Sequence, residues 1–278
     1  MATIDFTRIN TNVAALNALN TLREVNKNLA LAQTRLSTGR RINEAADDPA
    51  GLTLATKFDV RATGMQVAID NIGDAKNLLA VAEGGLRKIN EILAKMRAKA
   101  EAAASDTLGD AERAAIADDL EQFALEIDDI VRTTTWNSQQ LISSTVTWDF
   151  HTGAASSDFT TWSLNYGHNS ADLGIDTITV GSAASARAYI DLLDTAIASV
   201  SASLSNIGSM MARLTFKEDT LAIGKVNTEA AYNRIMNADM AVEQLNAVKF
   251  QILQQTAIAM LAQANIAPQA VLQLIGGR

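Results

Sequence analysis

The chain has 278 residues, of which 48% are hydrophobic and 5% aromatic, with two prolines, no cysteine and a formal charge of -8. This length supports one large or two modest domains, and the scarcity of aromatics favours thin aliphatic seams between helices over an aromatic centre. The acidic balance argues against a general nucleic-acid binder. No apolar run approaches the roughly 20 residues that span a bilayer, and the first residues lack a secretory-signal pattern, so composition alone predicts a cytoplasmic protein.

The first predicted element is a helix near the amino terminus. Its apolar residues recur at three- and four-residue steps, and much of its remaining surface carries amides and hydroxyls. A helix with so narrow an apolar stripe buries little surface alone, and it therefore needs partners. The stripe consists of Leu22, Val25, Leu29 and Leu36.

A connection follows at residues 36–51, which read LSTGRRINEAADDPAG. Gly39 is suited to end the first helix in a left-handed conformation, because it lacks a Cβ. Asp48 followed by Pro49 is typical of an N-cap and the first residue of a new helix. The residues therefore predict a helix, a joint and a second helix.

Three long seams follow the connection. The longest starts at Ile72 and predicts a coiled-coil helix over residues 54–104, about 75 Å long. Turn residues at 105–110 precede a second seam that folds back on the first, and a third seam starts at Ile190. Together they predict a mainly α protein, an elongated rod of long antiparallel coiled-coil helices. The seam residues are Ile72, Ala75, Leu79, Ala82, Leu86, Ile89, Leu93, Met96, Ala100 and Ala103; then Ile116, Leu120, Phe123, Ile127 and Ile130; then Ile190, Leu193, Ile197, Val200, Leu204, Ile207, Met211 and Leu214.

Between residues 143 and 186 the helical periodicity is lost, and the composition shifts to Ser, Thr, Gly and Asp with several aromatics. Apolar and polar residues alternate over Phe159–Leu164 and over residues 175–180, which predicts short strands. We therefore expect a small β-rich insert here. A disordered surface loop is the alternative, which the aromatic residues disfavour.

The last predicted element is a carboxy-terminal helix that repeats the narrow apolar stripe of the first. Glutamines occupy much of its remaining surface, so this helix also needs partners. Its stripe consists of Leu245, Val248, Ile252, Ala259 and Ile266.

Residues suited to catalysis or metal binding are few. His151 and His168 are the only histidines, and neither belongs to the H-E-x-x-H pattern of a zinc site, so both are predicted to lie on the surface. Adjacent carboxylates on a helix point about 100° apart, so capping and solvation explain such pairs better than acid chemistry or calcium binding. We predict no catalytic residue, no metal and no cofactor, and a protein that is not an enzyme. The pairs are Asp47 with Asp48, Asp118 with Asp119, and Asp128 with Asp129.

Three stretches resemble the bacterial flagellins. Residues 8–22 read RINTNVAALNALNTL, residues 36–51 contain the connection described above, and residues 251–275 read QILQQTAIAMLAQANIAPQAVLQLI. The resemblance covers about residues 8–142 and 187–276 and leaves the insert unmatched. It implies an inner domain from residues 1–45 and 237–278 whose termini pair as a coiled coil, a rod domain from residues 46–142 and 187–236, and an outward-facing variable insert at 143–186.

The resemblance also implies a function. The chain would be a structural subunit that self-assembles into the extracellular flagellar filament used for motility. It would be exported unfolded by the flagellar type III apparatus and ordered at its termini on polymerisation. Implied partners are other flagellin subunits, the filament cap, the hook-filament junction proteins and an export chaperone, with no nucleic acid and no membrane. The alternatives are a hook-filament junction protein of the same family and, more distantly, a cytoplasmic coiled-coil scaffold.

Specific residues follow from the same resemblance. Some flagellins engage an innate immune receptor through the long rod helix; Arg97 matches that pattern, but Lys95, Lys99 and Asp119 depart from it, so receptor binding is not predicted. The hydroxyls predicted as O-glycan acceptors are Ser143, Ser144, Ser156 and Thr160, and the domain joint is predicted at Gly39, Arg41, Asn43, Asp47, Asp48 and Pro49. The predicted polymerisation interface is Val13, Leu16, Leu22, Leu29, Leu36, Leu245, Val248, Ile252, Leu253, Ile258, Leu261, Ile266 and Leu272.

Overall fold

The computed structural model describes the backbone of residues 12–276 and the side chains of residues 12–266. The described chain is mainly α, as predicted, and forms two compact units: one from the residues up to Val60 and from Thr228 onward, the other from Arg61–Asn227. The helices are α1 (Val13–Thr38), α2 (Pro49–Ala103), α3 (Asp110–Thr133), α4 (Ala183–Met236) and α5 (Met240–Gly276); the strands are β1 (Thr135–Trp136), β2 (Gln139–Gln140), β3 (Val146–His151) and β4 (Phe159–Leu164).

The three long seams form the core of the second unit. α2 is 55 residues long, about 80 Å at the helical rise, and all ten residues predicted for its seam are buried. Lys76 Nζ lies 2.6 Å from Glu218 Oε2, and Lys225 Nζ lies 2.8 Å from Gln66 Oε1, so α4 runs antiparallel to α2. The predicted antiparallel packing of long helices is confirmed.

The turn between α2 and α3 falls where the turn residues predicted it. Arg113, in the first turns of α3, reaches back across it and is itself buried. Its Nε donates to the carbonyl of Ala103 at 3.1 Å, and its terminal nitrogen donates to the carbonyl of Ser105 at 2.8 Å. The first bond satisfies a carbonyl that the end of α2 leaves without a helical partner, and the second holds the turn that follows.

The insert is a β-hairpin that packs on the helices of the second unit. β3 and β4 are antiparallel, with Trp148 opposite Trp162, and one face of the hairpin is buried. The Trp162 indole N–H donates to Asn206 Oδ1 on α4 at 3.0 Å, and Lys217 Nζ donates to Thr152 Oγ1 at 2.9 Å. The hairpin therefore shares the hydrophobic core of this unit, to which Phe150, Trp162 and Leu164 belong.

The strand predicted at residues 175–180 is wrong. This segment is irregular, with Ile175 and Val180 buried. The carbonyl of Ile175 accepts a hydrogen bond from the Tyr189 hydroxyl at 3.0 Å, and burial raises the pKa of Tyr189 to about 12. The segment has no partner strand among the described residues. Its apolar residues are buried because the segment packs on the helices, not because it belongs to a sheet.

The surface position predicted for His168 is also wrong, because its side chain is completely buried. Its Nε2 lies 2.9 Å from Ser203 Oγ on α4, and its backbone N–H donates to the carbonyl of Ile142 at 3.0 Å. Burial lowers the pKa of His168, although Asp172 and backbone carbonyls act in the opposite direction. The imidazole is thus a neutral polar anchor between the insert and the helices.

The buried imidazole predicts that the second unit loses stability on acidification. Because its folded-state pKa lies below the ordinary value of 6.5, the unfolded chain binds the extra proton first. The free energy of unfolding should therefore fall as pH decreases from 6.5 towards the folded-state pKa. Urea unfolding of wild type and His168→Gln across this range measures the difference; a slope that is the same in both would contradict the assignment.

Candidate assembly interface

α1 and α5 pair side by side in the first unit and run in opposite directions. Asn12 Nδ2 donates to the carbonyl of Ala264 at 2.8 Å, Gln254 Nε2 donates to Asn26 Oδ1 at 2.7 Å, and Arg35 contacts Glu243 at 3.2 Å. Residues early in α1 thus meet residues late in α5: the termini pair, as the family resemblance implied, and the structure shows that they run antiparallel.

The apolar seam between these helices is thin. Leu29, Ala32 and Ala247 form its buried cluster, with Leu36 and Phe250 packed against them. Alanine contributes little apolar area, so a seam of this composition stabilises the pair weakly. Among the described side chains of the two helices, the other buried apolar residues are Val25 and Ala257.

The stripe that the sequence predicts on α5 is the face turned away from α1. Side chains at Ala247, Phe250, Gln254 and Ala257 are shielded by α1, whereas Ile252 is 58% exposed. At about 100° per residue, Ile252 lies nearly opposite the shielded face. Among the residues that the structure describes, α5 is therefore apolar on two sides, and one of them packs on α1.

The predicted interface residues fall into two groups. Leu29 is buried in the seam with α1 and α5, and Leu22, Leu36 and Leu261 are half-buried. The side chain of Leu272 lies outside the described residues. The exposed members are Val13, Leu16, Leu245, Val248, Ile252, Leu253, Ile258 and Ile266.

The α1–α2 connection has the geometry that its residues predict. Gly39 adopts φ 70° and its N–H donates to the carbonyl of Arg35 at 2.9 Å. Asp48 Oδ1 accepts from the N–H of Gly51 at 2.9 Å, just before the helix that starts at Pro49. The helix end at Gly39 and the N-cap at Asp48 are thus both confirmed.

Asp47 closes the loop within this connection. Its Oδ2 accepts from the N–H of Asn43 at 2.9 Å and of Glu44 at 3.1 Å. Both bonds lower the pKa of Asp47, and the bond from Asn43 has the larger effect. Asn43 also donates through its side chain to the carbonyl of Arg40 at 3.0 Å. The loop is therefore held by capping bonds, which is the role predicted for the Asp47 and Asp48 pair.

The connection from α4 to α5 is tied to the one from α1 to α2. The N–H of Arg41 donates to the carbonyl of Met236 at 2.6 Å, and the N–H of Ala238 donates to the carbonyl of Gly39 at 3.0 Å. Ile42 is buried in a cluster with Ala55 and Met236. Residues 39–41 and 236–238 thus form one hydrogen-bonded base, from which both terminal helices extend.

A second exposed apolar surface, which the sequence analysis missed, lies on α4. Phe216, Ile223 and Val226 are 72%, 65% and 63% exposed, and they share one face of α4 with Ala212 and the charged Asp219, at four- and three-residue steps. This outer stripe lies opposite the buried seam of α4 that includes Leu214. The heptad spacing of the outer stripe is present in the sequence, but the inner seam of α4 is longer and more regular, so it alone was predicted.

The predicted glycan acceptors differ in accessibility. Ser144 and Ser156 are exposed, and Ser143 is half-buried. Thr160 is buried, and its hydroxyl lies 2.9 Å from that of Thr152, so its prediction as an acceptor is wrong. It faces the helices from the inner side of the hairpin.

Among the described residues, no group of three His, Cys, Asp or Glu side chains is placed to hold a metal ion. No described helix is long and apolar enough to cross a membrane. The paired carboxylates have structural partners: Asp128 accepts two hydrogen bonds from Ser170, at 2.7 and 2.8 Å, and Asp119 lies 2.6 Å from Lys99 Nζ. On α2, Arg97 contacts Asp194 and Glu101.

Two family models match the chain. Residues 9–147 match the bacterial flagellin N-terminal helical region, and residues 190–275 match the bacterial flagellin C-terminal helical region. The chain belongs to the bacterial flagellin family. The matched segments contain α1 to α3 and nearly all of α4 and α5, including the paired terminal helices.

Relatives are similar over nearly the whole flagellin chain. A flagellin of Halalkalibacterium halodurans is 36% identical, covering 96% of this chain and 99% of that protein. A flagellar filament core protein of Brachyspira hyodysenteriae is 31% identical over the same shares of the two chains. These relatives support a structural subunit of the flagellar filament as the role of this flagellin.

A solved structure described as that of a flagellar hook-associated protein from Vibrio parahaemolyticus is similar in fold. The TM-score is 0.57 at 15% identity, and the match covers 69% of this chain and 100% of that one. At this identity the likeness shows the fold alone. It does not favour a hook-filament junction role over a filament role.

Proposed function

We propose that this flagellin builds a filament by burying the outward faces of α1 and α5 against other copies of the same chain. The observation that carries the proposal is the composition of α5, which is 37 residues long and has only Glu243 and Lys249 as charged residues. A helix with so few charges, and with apolar residues on its outward side as well as towards α1, is normally buried on both of those sides. α1 covers one side, so copies of the chain are the natural cover for the rest.

The outward side of α1 supports the same assignment. Val13 and Leu16 are each 52% exposed, and the exposed amides of Asn17 and Asn20 lie beside them. Uncharged amides suit contact between helices, because each offers donors and acceptors without the desolvation cost of a full charge. The exposed residues of both helices therefore form the proposed polymerisation interface.

The thin seam between α1 and α5 suggests that assembly and ordering are coupled. The pair buries little apolar area by itself, so its helices are marginal until neighbouring subunits cover the remaining faces. A subunit whose terminal helices become stable only on assembly suits export in an unfolded state through the flagellar type III apparatus. Ordering then follows at the growing end outside the cell. An export chaperone, the filament cap and the hook-filament junction proteins are the further partners this route requires.

The outer stripe on α4 supplies a second surface for contact between copies. Phe216, Ile223 and Val226 belong to the second unit, whereas the terminal helices belong to the first. A surface that meets a different surface on the next copy makes a head-to-tail contact, which extends into an open filament unless the rotation between copies closes it into a ring. We therefore assign the stripe to packing of the second unit within the filament.

Seeded growth tests the proposed function. Purified chain is added to short filament fragments, and fragment length is followed by electron microscopy. Elongation into long helical filaments is the expected result. Binding that stops after a few copies would instead favour the hook-filament junction protein, and the absence of binding would favour a coiled-coil scaffold with no flagellar role.

A further inference from the structure

We propose that Arg35 and Glu243 are positioning residues that set the register in which α1 and α5 pair; the proposal rests on the proposed function, because the register decides how the outward residues of the two helices align along the pair for contact with other copies. Arg35 lies in the last turn of α1, and Glu243 lies in the first turn of α5. Their side chains contact at 3.2 Å.

The burial of this ion pair indicates a role in specificity rather than in stability. The side chains of Arg35 and Glu243 are only 23% and 11% exposed, and the Arg35 Nε is buried without a hydrogen-bond partner among the described residues. Burying two charges costs desolvation energy that their attraction often does not exceed, whereas leaving one of them unpaired is strongly unfavourable. Such a pair penalises every arrangement that separates its members.

The apolar seam cannot set the register alone. A shift of one heptad moves one helix along the other by about 10 Å and brings Leu36 opposite Phe250 and Leu29 opposite Ala257. Leu29 and Leu36 would again face apolar side chains, because both helices repeat with the same period, although Ala32 would then face Gln254. The same shift would separate Arg35 from Glu243 and leave both charges unpaired.

The positions of the two charges also suit the helix ends on which they lie. A cation in the last turn of α1 and an anion in the first turn of α5 each oppose the partial charge of that helix end. Arg35 further helps to lower the pKa of Asp47, whose carboxylate closes the α1–α2 connection. The ion pair thus joins both terminal helices to the base from which they leave.

Disulfide cross-linking in filaments tests the register, since the chain has no cysteine of its own. Ala32→Cys with Ala247→Cys reports the observed register, because both residues lie in one buried cluster. Ala32→Cys with Gln254→Cys reports the register shifted by one heptad, which the observed pairing places too far apart to bridge. We expect the first pair to cross-link within one chain and the second pair not to.

Further variants remove the Arg35–Glu243 ion pair and then restore it. Arg35→Glu should lower the ratio of observed to shifted cross-links by at least about tenfold, and Arg35→Glu combined with Glu243→Arg should restore most of it. Lys27→Glu makes the same charge change at an exposed position of α1 and should leave the ratio unchanged. Arg35→Met with Glu243→Leu removes both charges without leaving one buried, so it should assemble and yet show both registers.

Two results would overturn the proposal. An unchanged ratio in the double apolar variant would show that the backbone tie between the two connections sets the register alone. Failure of the charge exchange to restore the ratio lost in Arg35→Glu would show that the ion pair is not the determinant. The absence of filaments from the cysteine variants with Arg35 and Glu243 intact, and from the unmodified chain, would count against the proposed function instead.

Discussion

Ile252→Asp should abolish the growth of filaments from seeds while leaving the helical core of the second unit folded. Ile252 is 58% exposed and lies on the side of α5 that faces away from α1, so the substitution disturbs little within the chain. In the proposed filament the carboxylate would be buried without a partner, at a cost of about 3 kcal/mol per subunit or more. That cost raises the concentration needed for growth by more than about a hundredfold.

The measurement compares the critical concentration for seeded elongation in wild type, Ile252→Asp and Ile252→Leu. The leucine variant conserves volume and apolar character, so it should assemble within a fewfold of wild type. Circular dichroism of the unassembled chains controls for loss of the fold. Filaments of Ile252→Asp growing at the wild-type concentration would remove this face of α5 from the interface.

The long helices could be predicted because the spacing of their apolar residues and the residues at their ends indicate the same elements. The seam from Ile72 to Ala103 keeps a coiled-coil spacing, and Gly39 and Asp48 carry the conformational and capping preferences that place the neighbouring helix ends. These features depend on residues close together in sequence. Periodicity and capping therefore sufficed for the helices and for the joint between α1 and α2.

The remaining features depend on contacts between residues far apart in sequence. His168 and Thr160 are buried because the insert folds onto the helices, and the residues next to them in sequence do not indicate this burial. For α5 the difficulty is different, because an apolar residue occurs on nearly every side. Periodicity finds the stripe that contains Ile252, but only the structure shows that α1 covers the opposite side.

Ile223→Asp should weaken filament growth without affecting the pairing of the terminal helices. Ile223 is 65% exposed at the middle of the outer stripe on α4, between Phe216 and Val226. Loss of a buried isoleucine from a contact between copies costs about 2 kcal/mol, to which the introduced charge adds. Seeded elongation should therefore need a concentration at least about thirtyfold higher than wild type.

Leu125→Asp is the matched control, because Leu125 is also exposed, at 55%, but lies on α3 outside the stripe. The same loss of an apolar side chain and the same added charge should leave elongation unchanged there. Equal effects at Leu125 and Ile223 would mean that added charge alone slows growth. Normal growth of Ile223→Asp would mean that the stripe faces solvent in the filament. A defect at Ile223 alone, with the cross-link between positions 32 and 247 intact, would show that each unit contributes its own contact surface to the polymer.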